Sequence, residues 1–202
     1  MRRIGVLGGT FDPIHNGHLA IARGAHQELG LERVLVVPAR NPWLKGEQAI
    51  TPAAHRLRMI ELAIAGDERL ALSTVDLERE GPSYTVDTLA DVRAALGPQV
   101  ALYFILGADA LADLPSWHEP QRVIALCHLA VAMRPGREGL ALDALEARVP
   151  GIAGHTIPLN NELVAVSSSE IRGLIAQGRP IAGLVPAAVE RYIAEHGLYR
   201  LG

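Results

Sequence analysis

Two histidines three residues apart, His15 and His18, close the stretch Gly8-Gly9-Thr10-Phe11-Asp12-Pro13-Ile14-His15-Asn16-Gly17-His18. A glycine-rich turn that feeds a helix gathers unpaired N–H groups and the positive end of the helix dipole at one spot, which makes an anion site. Imidazoles held there can bind or neutralise phosphate oxygens, so the chemistry indicated is that of phosphates. Far along the chain, Ser167-Ser168-Ser169-Glu170 has the pattern of a capping box opening a second helix. One compositional oddity joins these. The chain has 19 Lys and Arg residues, of which Lys45 is the only lysine, and a compact ammonium serves a different purpose from a planar fork.

Other chemistries fit less well. A dinucleotide-binding turn wants G-x-G-x-x-G after the first strand and an acid ending the second. Here the glycines fall at Gly5, Gly8 and Gly9, and the second strand runs into Val37-Pro38-Ala39-Arg40. No Gly-Lys-Ser/Thr run exists, so there is no Walker A loop. No acid or cysteine beside His15 and His18 completes a metal set. Nothing resembles a nucleophilic triad.

Residues 3–7 form an apolar first strand, and a helix follows to Gly30, with Asn16 as its expected N-cap and Gly30 at its C′ position. Residues 33–37 are valine-rich, as a buried parallel strand should be. Residues 38–51 form a loop longer than a usual strand–helix link. Pro52 opens a helix to about residue 65, with Leu57, Ile60 and Ile64 on one face. Residues 70–74 read as a strand, 76–82 as a charged connection, and a helix led by Ser83-Tyr84-Thr85 reaches residue 96. Residues 100–106 are the most apolar strand and the expected centre of the sheet. Short helices are expected at 111–114 and 121–126, a strand at 129–133, and a surface helix at 140–148. Extended segments are expected at 156–159 and 163–166, then helices opened by Ser167 and by Pro186.

Strands alternating with helices imply an α/β fold: a Rossmann-like, doubly wound, mostly parallel sheet with helices on both faces. At 202 residues one domain spanning 1–202 is expected, its C-terminal helical part (about 167–202) packed on the rest. In such sheets ligands sit beyond the C-terminal strand ends where the strand order reverses, and His15, Lys45, Asp109 and Trp117 all follow strands. The net charge of −3 argues against a nucleic-acid partner. No stretch approaches a membrane span, and the first residues are too short an apolar run for a signal peptide. A cytoplasmic protein is the expectation. The lone Cys127, inside an apolar run, reads as a small buried hydrophobe.

The stretch ending His15-Asn16-Gly17-His18 resembles the H-x-G-H signature of the nucleotidyltransferase superfamily. Val166-Ser167-Ser168-Ser169-Glu170-Ile171-Arg172 resembles its second signature, I-S-S-T-x-I-R, departing at Val166 and Ser169. Residues 82–89, Leu106-Gly107-Ala108-Asp109, Leu114-Pro115-Ser116-Trp117 and the ending with Tyr192, Gly197 and Tyr199 extend the resemblance over essentially the whole chain, to the bacterial nicotinate-nucleotide adenylyltransferases. One loop departs: Leu44 stands where that family has a histidine, while Lys45 survives.

The resemblance implies transfer of AMP from ATP to nicotinate mononucleotide, giving deamido-NAD and pyrophosphate. It implies catalytic roles for His15, His18 and Arg172. ATP would be held by Gly8, Gly9, Thr10, Phe11, His15, His18, Gly107, Asp109, Ser168, Ser169 and Arg172. Nicotinate mononucleotide would be held by Lys45, Thr85, Asp109, Trp117 and His118. Mg²⁺ is expected to ride mainly on the ATP phosphates, without a protein ligand set. A homo-oligomer is compatible with the sequence. A sister enzyme acting on nicotinamide mononucleotide or phosphopantetheine, and a non-catalytic nucleotide-binding module, are the alternatives. The remaining histidines (His26, His55, His128, His155, His196) and most arginines are expected to be structural or solvated.

Overall fold

The computed structural model describes residues 1–42, 50–133, 140–160 and 166–200. Its frame is a six-stranded sheet: β1 (Arg2–Gly9), β2 (Arg33–Pro38), β3 (Leu70–Leu72), β4 (Val100–Gly107), β5 (His128–Ala132) and β6 (Thr156–Leu159). The order is β3-β2-β1-β4-β5-β6, and every pairing is parallel. The chain winds outward from β1 to one edge and then from β4 to the other. The strand order therefore reverses between β1 and β4, where Arg2 pairs with Val100 and Val6 with Phe104. A crevice at the C-terminal ends of these two strands is the expected ligand position.

Side chains of a strand alternate between faces, and the two cores follow that alternation. Leu7, Val34, Val36, Tyr103 and Ile105 point to one face, where they meet α1 (Asn16–Leu29) through Leu19 and Ala22, and α2 (Ala53–Ile64) through Met59 and Ile60. Ile4, Val6, Leu102, Phe104 and Leu106 point to the other. There they meet α4 (Thr85–Leu96) through Leu89 and α6 (Pro120–Leu126) through Val123. Gly5 makes the first face close-fitting: a Cβ there would lie 2.8 Å from Leu31 Cδ1 and 2.9 Å from Val34 Cγ2.

The helices α9 (Ser168–Ala176) and α10 (Ala187–Glu195) add Ile171, Val189 and Ile193 to the first core. The C-terminal part thus packs on the face that carries α1 and α2. Among the described residues, no helix is long and apolar enough to cross a membrane. Cys127 is buried, and burial pushes its thiol up to about 12.

Several expected boundaries move. The N-cap of α1 is His15, not Asn16, because the imidazole Nδ1 accepts the backbone N–H of His18; Asn16 is the first helical residue, and its side chain donates to the Gly183 carbonyl. Residues 76–82 are not all connection, since Val75–Glu78 form the short helix α3. The 140–148 segment is helical over Leu142–Glu146 alone (α7), and Ile152–His155 form α8. On α2 the buried face is Arg56, Met59, Ile60 and Ala63, with Leu57 and Ile64 flanking it. The segment expected at 163–166 lies, but for Val166, outside the described residues.

Candidate active site

β1 ends in Gly8 and Gly9, and the chain turns through Thr10 and Phe11 before α1 begins. Phe11 holds φ 52° and the Asp12–Pro13 bond is cis. The Phe11 ring packs beneath Gly9, where a Cβ would lie 3.1 Å from its Cε1 and Cζ. A side chain at residue 9 would therefore press on the Phe11 ring, which would have to shift. A cavity of about 380 Å³ opens here, walled by Gly8, Gly9, Thr10 and His18 on the β1 side and by Phe104 and Gly107 on the β4 side. It sits where the strand order reverses.

His15 and His18 form a reciprocal capping box. His18 N–H donates to His15 Nδ1 and His15 N–H donates to His18 Nδ1, each at 3.3 Å. Their rings stack at 3.6 Å with 21° between planes. With both Nδ1 atoms accepting, each neutral ring carries its proton on Nε2. His18 faces the cavity, braced from the side by the Phe11 ring at 5.0 Å. His15 lies behind it, 6% exposed, and burial lowers its pKa to about 4. It is a neutral imidazole at ordinary pH.

The C-terminal part clasps the same loop. Ser168 Oγ donates to the Pro13 carbonyl at 2.9 Å, and Arg172 Nη1 to the Asp12 carbonyl at 2.7 Å. Arg172 Nη2 reaches Ser169 Oγ at 3.3 Å. Ser167 caps α9 by accepting from the Glu170 N–H. The expected second-motif residues are thus brought to the histidine loop, although they do not wall the cavity itself.

The cavity is also lined by Thr85, at the start of α4, and by Trp117. The Tyr84 side chain, at the N-cap, makes no capping bond to α4, and the N–H groups of a helix's first turn suit an anion. Trp117 meets Phe104 edge-on at 6.0 Å, and its buried Nε1 has no hydrogen-bond partner among the described residues. His118 is exposed and stacks on Tyr84 at 4.2 Å. Asp109 is exposed in the first turn of α5 (Ala108–Asp113), beside Gly107. Lys45 and Leu44 lie outside the described residues.

Sequence reasoning missed the polar frame beneath this site. Arg56, 2% exposed, donates from Nη1 to the carbonyls of Thr10 (2.8 Å) and Ala39 (2.9 Å), and from Nε to that of Thr51 (3.0 Å). It belongs to a small set of buried charges, not to the solvated arginines. Its signal was available: Arg56 occupies a core-facing position of α2, one turn before Met59 and Ile60. Asp12, also buried, accepts from Tyr199 OH at 2.7 Å and from the Thr51 N–H at 3.3 Å. Burial and the Asp12 charge both raise the Tyr199 pKa, so the phenol stays a donor. Asp12 stood inside the first motif without a role. Asp76, also on the cavity wall, carried no pattern that marked it, and Ser83 beside it entered only as the lead of a helix and within the 82–89 resemblance.

Among the described residues, no three His, Cys, Asp or Glu side chains are grouped to hold a metal ion. The cavity offers backbone N–H groups, an imidazole and hydroxyls, a donor set for phosphate and carboxylate oxygens.

A cytidylyltransferase-like family model matches residues 6–174. The chain belongs to that family, a class of nucleotidyltransferases. A protein of Thermomicrobium roseum named "Probable nicotinate-nucleotide adenylyltransferase" is 48% identical over 99% of this chain and 92% of its own. One of the same name from Bordetella petrii is 46% identical over 99% of this chain and all of its own. Within the class, the chain is thus a member of the nicotinate-nucleotide adenylyltransferases. The fold is shared with Plasmodium falciparum nicotinic acid mononucleotide adenylyltransferase, solved with NaAD (TM-score 0.79, 20% identity, 98% of both chains).

Proposed function

We infer that the protein joins ATP and nicotinate mononucleotide, giving deamido-NAD and pyrophosphate, a step of NAD biosynthesis. A phosphate oxygen of nicotinate mononucleotide attacks the α-phosphorus of ATP. The bond from that phosphorus to the bridging oxygen breaks, and pyrophosphate leaves. The nucleophile is already an anion, so no general base is required. The protein must align two polyanions and stabilise the charge that develops on the α-phosphate and the leaving group. The observation that carries this reading is the stacked His15–His18 pair at the N-terminus of α1, with His18 on the wall of a cavity lined by donors.

His18 Nε2–H is assigned to the α-phosphate, with neutral His15 fixing its ring from behind. The backbone at Gly8, Gly9, Thr10 and Phe11 holds the nucleotide, with Gly107 and Asp109 across the crevice. Ser168, Ser169 and Arg172 are assigned to the β- and γ-phosphates, which requires them to exchange some loop contacts for ligand contacts. Mg²⁺ arrives on the ATP phosphates as part of the substrate. Trp117 stacks on the pyridine ring, Lys45 meets the acceptor phosphate, and the N–H groups of Thr85 and His118 receive the nicotinate carboxylate. Donors suit a carboxylate, whereas a carboxamide brings NH₂ donors of its own and loses part of the pairing. A cytoplasmic location follows from this metabolic role.

Pyrophosphate release with ATP and each of three acceptors tests the reading. Nicotinate mononucleotide should exceed nicotinamide mononucleotide in kcat/KM, with phosphopantetheine inactive. Equal rates with the acid and the amide would refute the acid-specific reading, and no turnover with any acceptor would refute the activity.

A further inference from the structure

A buried carboxylate on the cavity wall has no part in the chemistry above. Asp76, in α3, is 2% exposed and lines the cavity. Its Oδ2 accepts the Arg40 N–H at 2.8 Å and the Ser83 hydroxyl. Its Oδ1 accepts the Thr88 hydroxyl at 2.9 Å and Arg79 Nη2. Each oxygen thus serves two donors, and Arg79 supplies the counter-charge. A carboxylate so engaged has its oxygens already occupied by protein donors, and it presents little bare charge to an arriving anion.

What it does instead follows from where its donors lie. Arg40 follows β2, in the segment that carries the cavity residue Pro42. Ser83 leads into α4, and Thr88 is in its first turns. Two further bonds run alongside: Asn41 N–H to Ser83 Oγ, and Ser83 N–H to the Asn41 carbonyl, both 2.9 Å. Arg40 Nη1 also reaches the Arg79 carbonyl at 2.9 Å. The start of α4 is therefore held against the β2 end by the Asp76 carboxylate together with the paired Asn41–Ser83 bonds.

We propose that Asp76 is a positioning residue that sets which pyridine nucleotide the site prefers, by locking the start of α4 at the distance where its N–H donors meet the acceptor's acid group. This rests on the acid-specific reading of the site. Recognition by fixed backbone donors depends on their placement, because they have no side-chain freedom with which to follow a ligand. Replacing Asp76 by Asn keeps the shape but gives one oxygen's donor pair an NH₂ group to face, so the start of α4 keeps the Asn41–Ser83 bonds but loses its fixed placement.

The test is steady-state kinetics of the full chain with both pyridine nucleotides. Asp76→Asn should raise KM for nicotinate mononucleotide about tenfold, the size of one lost buried charge-assisted bond. KM for ATP should stay within about twofold, and the preference for acid over amide should narrow by about the same tenfold factor. A purely structural role would lower kcat equally for both acceptors and leave both KM values and the preference unchanged, and that result overturns the proposal. Ser83→Ala removes one donor and is the gentler variant: its smaller loss of preference should vanish in the Asp76→Asn background, since both act through one contact. Should Asp76→Asn fail to fold, Ser83→Ala and Thr88→Val carry the test, and an unchanged preference in both overturns it. A wild-type enzyme without acid preference would instead refute the parent reading. Wild-type preference retained by the variants refutes this inference alone.

Discussion

At the scale of single residues the two histidines divide their labour by burial. His15 has a pKa lowered from 6.5 to about 4 by desolvation. Between those values the unfolded chain binds a proton that the folded protein refuses, so stability falls as pH drops from about 6.5 toward 4 and is level with respect to this group above that window. Denaturant titrations at pH 7.5 and 5 should show that loss in the wild type and a smaller one in His15→Asn, which can still cap a helix without titrating. Identical pH dependence would remove the buried neutral imidazole from the account. His18, on the cavity wall, should act on the transition state: His18→Ala is expected to lower kcat by about 10²–10³, the range for one lost oxyanion donor, with a modest change in ATP affinity. A near-normal kcat would sink that role. The histidine pair was legible in the sequence because its spacing and glycines are local. Arg56, Asp12 and Asp76 were not, because each also needs partners farther off (Thr10 and Ala39, Tyr199, Thr88 and Arg40) that no short pattern encodes.

At the scale of elements, α9 is a buttress as much as a binding helix. Ser168 and Arg172 grip the carbonyls of Pro13 and Asp12, and Asn16 is tied to Gly183 and Leu184 ahead of α10. Arg172→Ala leaves the Asp12 carbonyl without that donor and should cost about 1–3 kcal/mol of stability. A shifted denaturation midpoint would record it, and an unshifted one would show that the contact carries no weight. The helix itself was readable from Ser167 and Glu170, since capping is a local pattern. Its docking on the histidine loop was not, because that contact joins elements some 155 residues apart. The same limit explains α3. Four residues following a strand leave too little periodicity to register, yet they place Asp76 against α4.

At the scale of the whole molecule, the alternation of strands and helices sufficed for the parallel sheet and its covered faces, and the apolar density of residues 100–106 marked β4 as central. The order β3-β2-β1-β4-β5-β6 was not legible in the sequence, because right-handed crossovers are compatible with more than one doubly wound order. The dinucleotide fingerprint is missing, yet the strand order is the one that binds dinucleotides elsewhere: the topology fixes where a ligand sits, and the turn after β1 fixes what is done to it. The clasp described above also has a consequence for biosynthesis. A nascent chain that has emerged only as far as β6 already holds the full sheet and both histidines. It still lacks Ser168, Arg172, Gly183, Leu184 and Tyr199, the residues that fasten residues 12–16. The phosphate loop is the first part of the site to leave the ribosome and the last to be locked, so catalytic competence waits until the chain has been made as far as Tyr199.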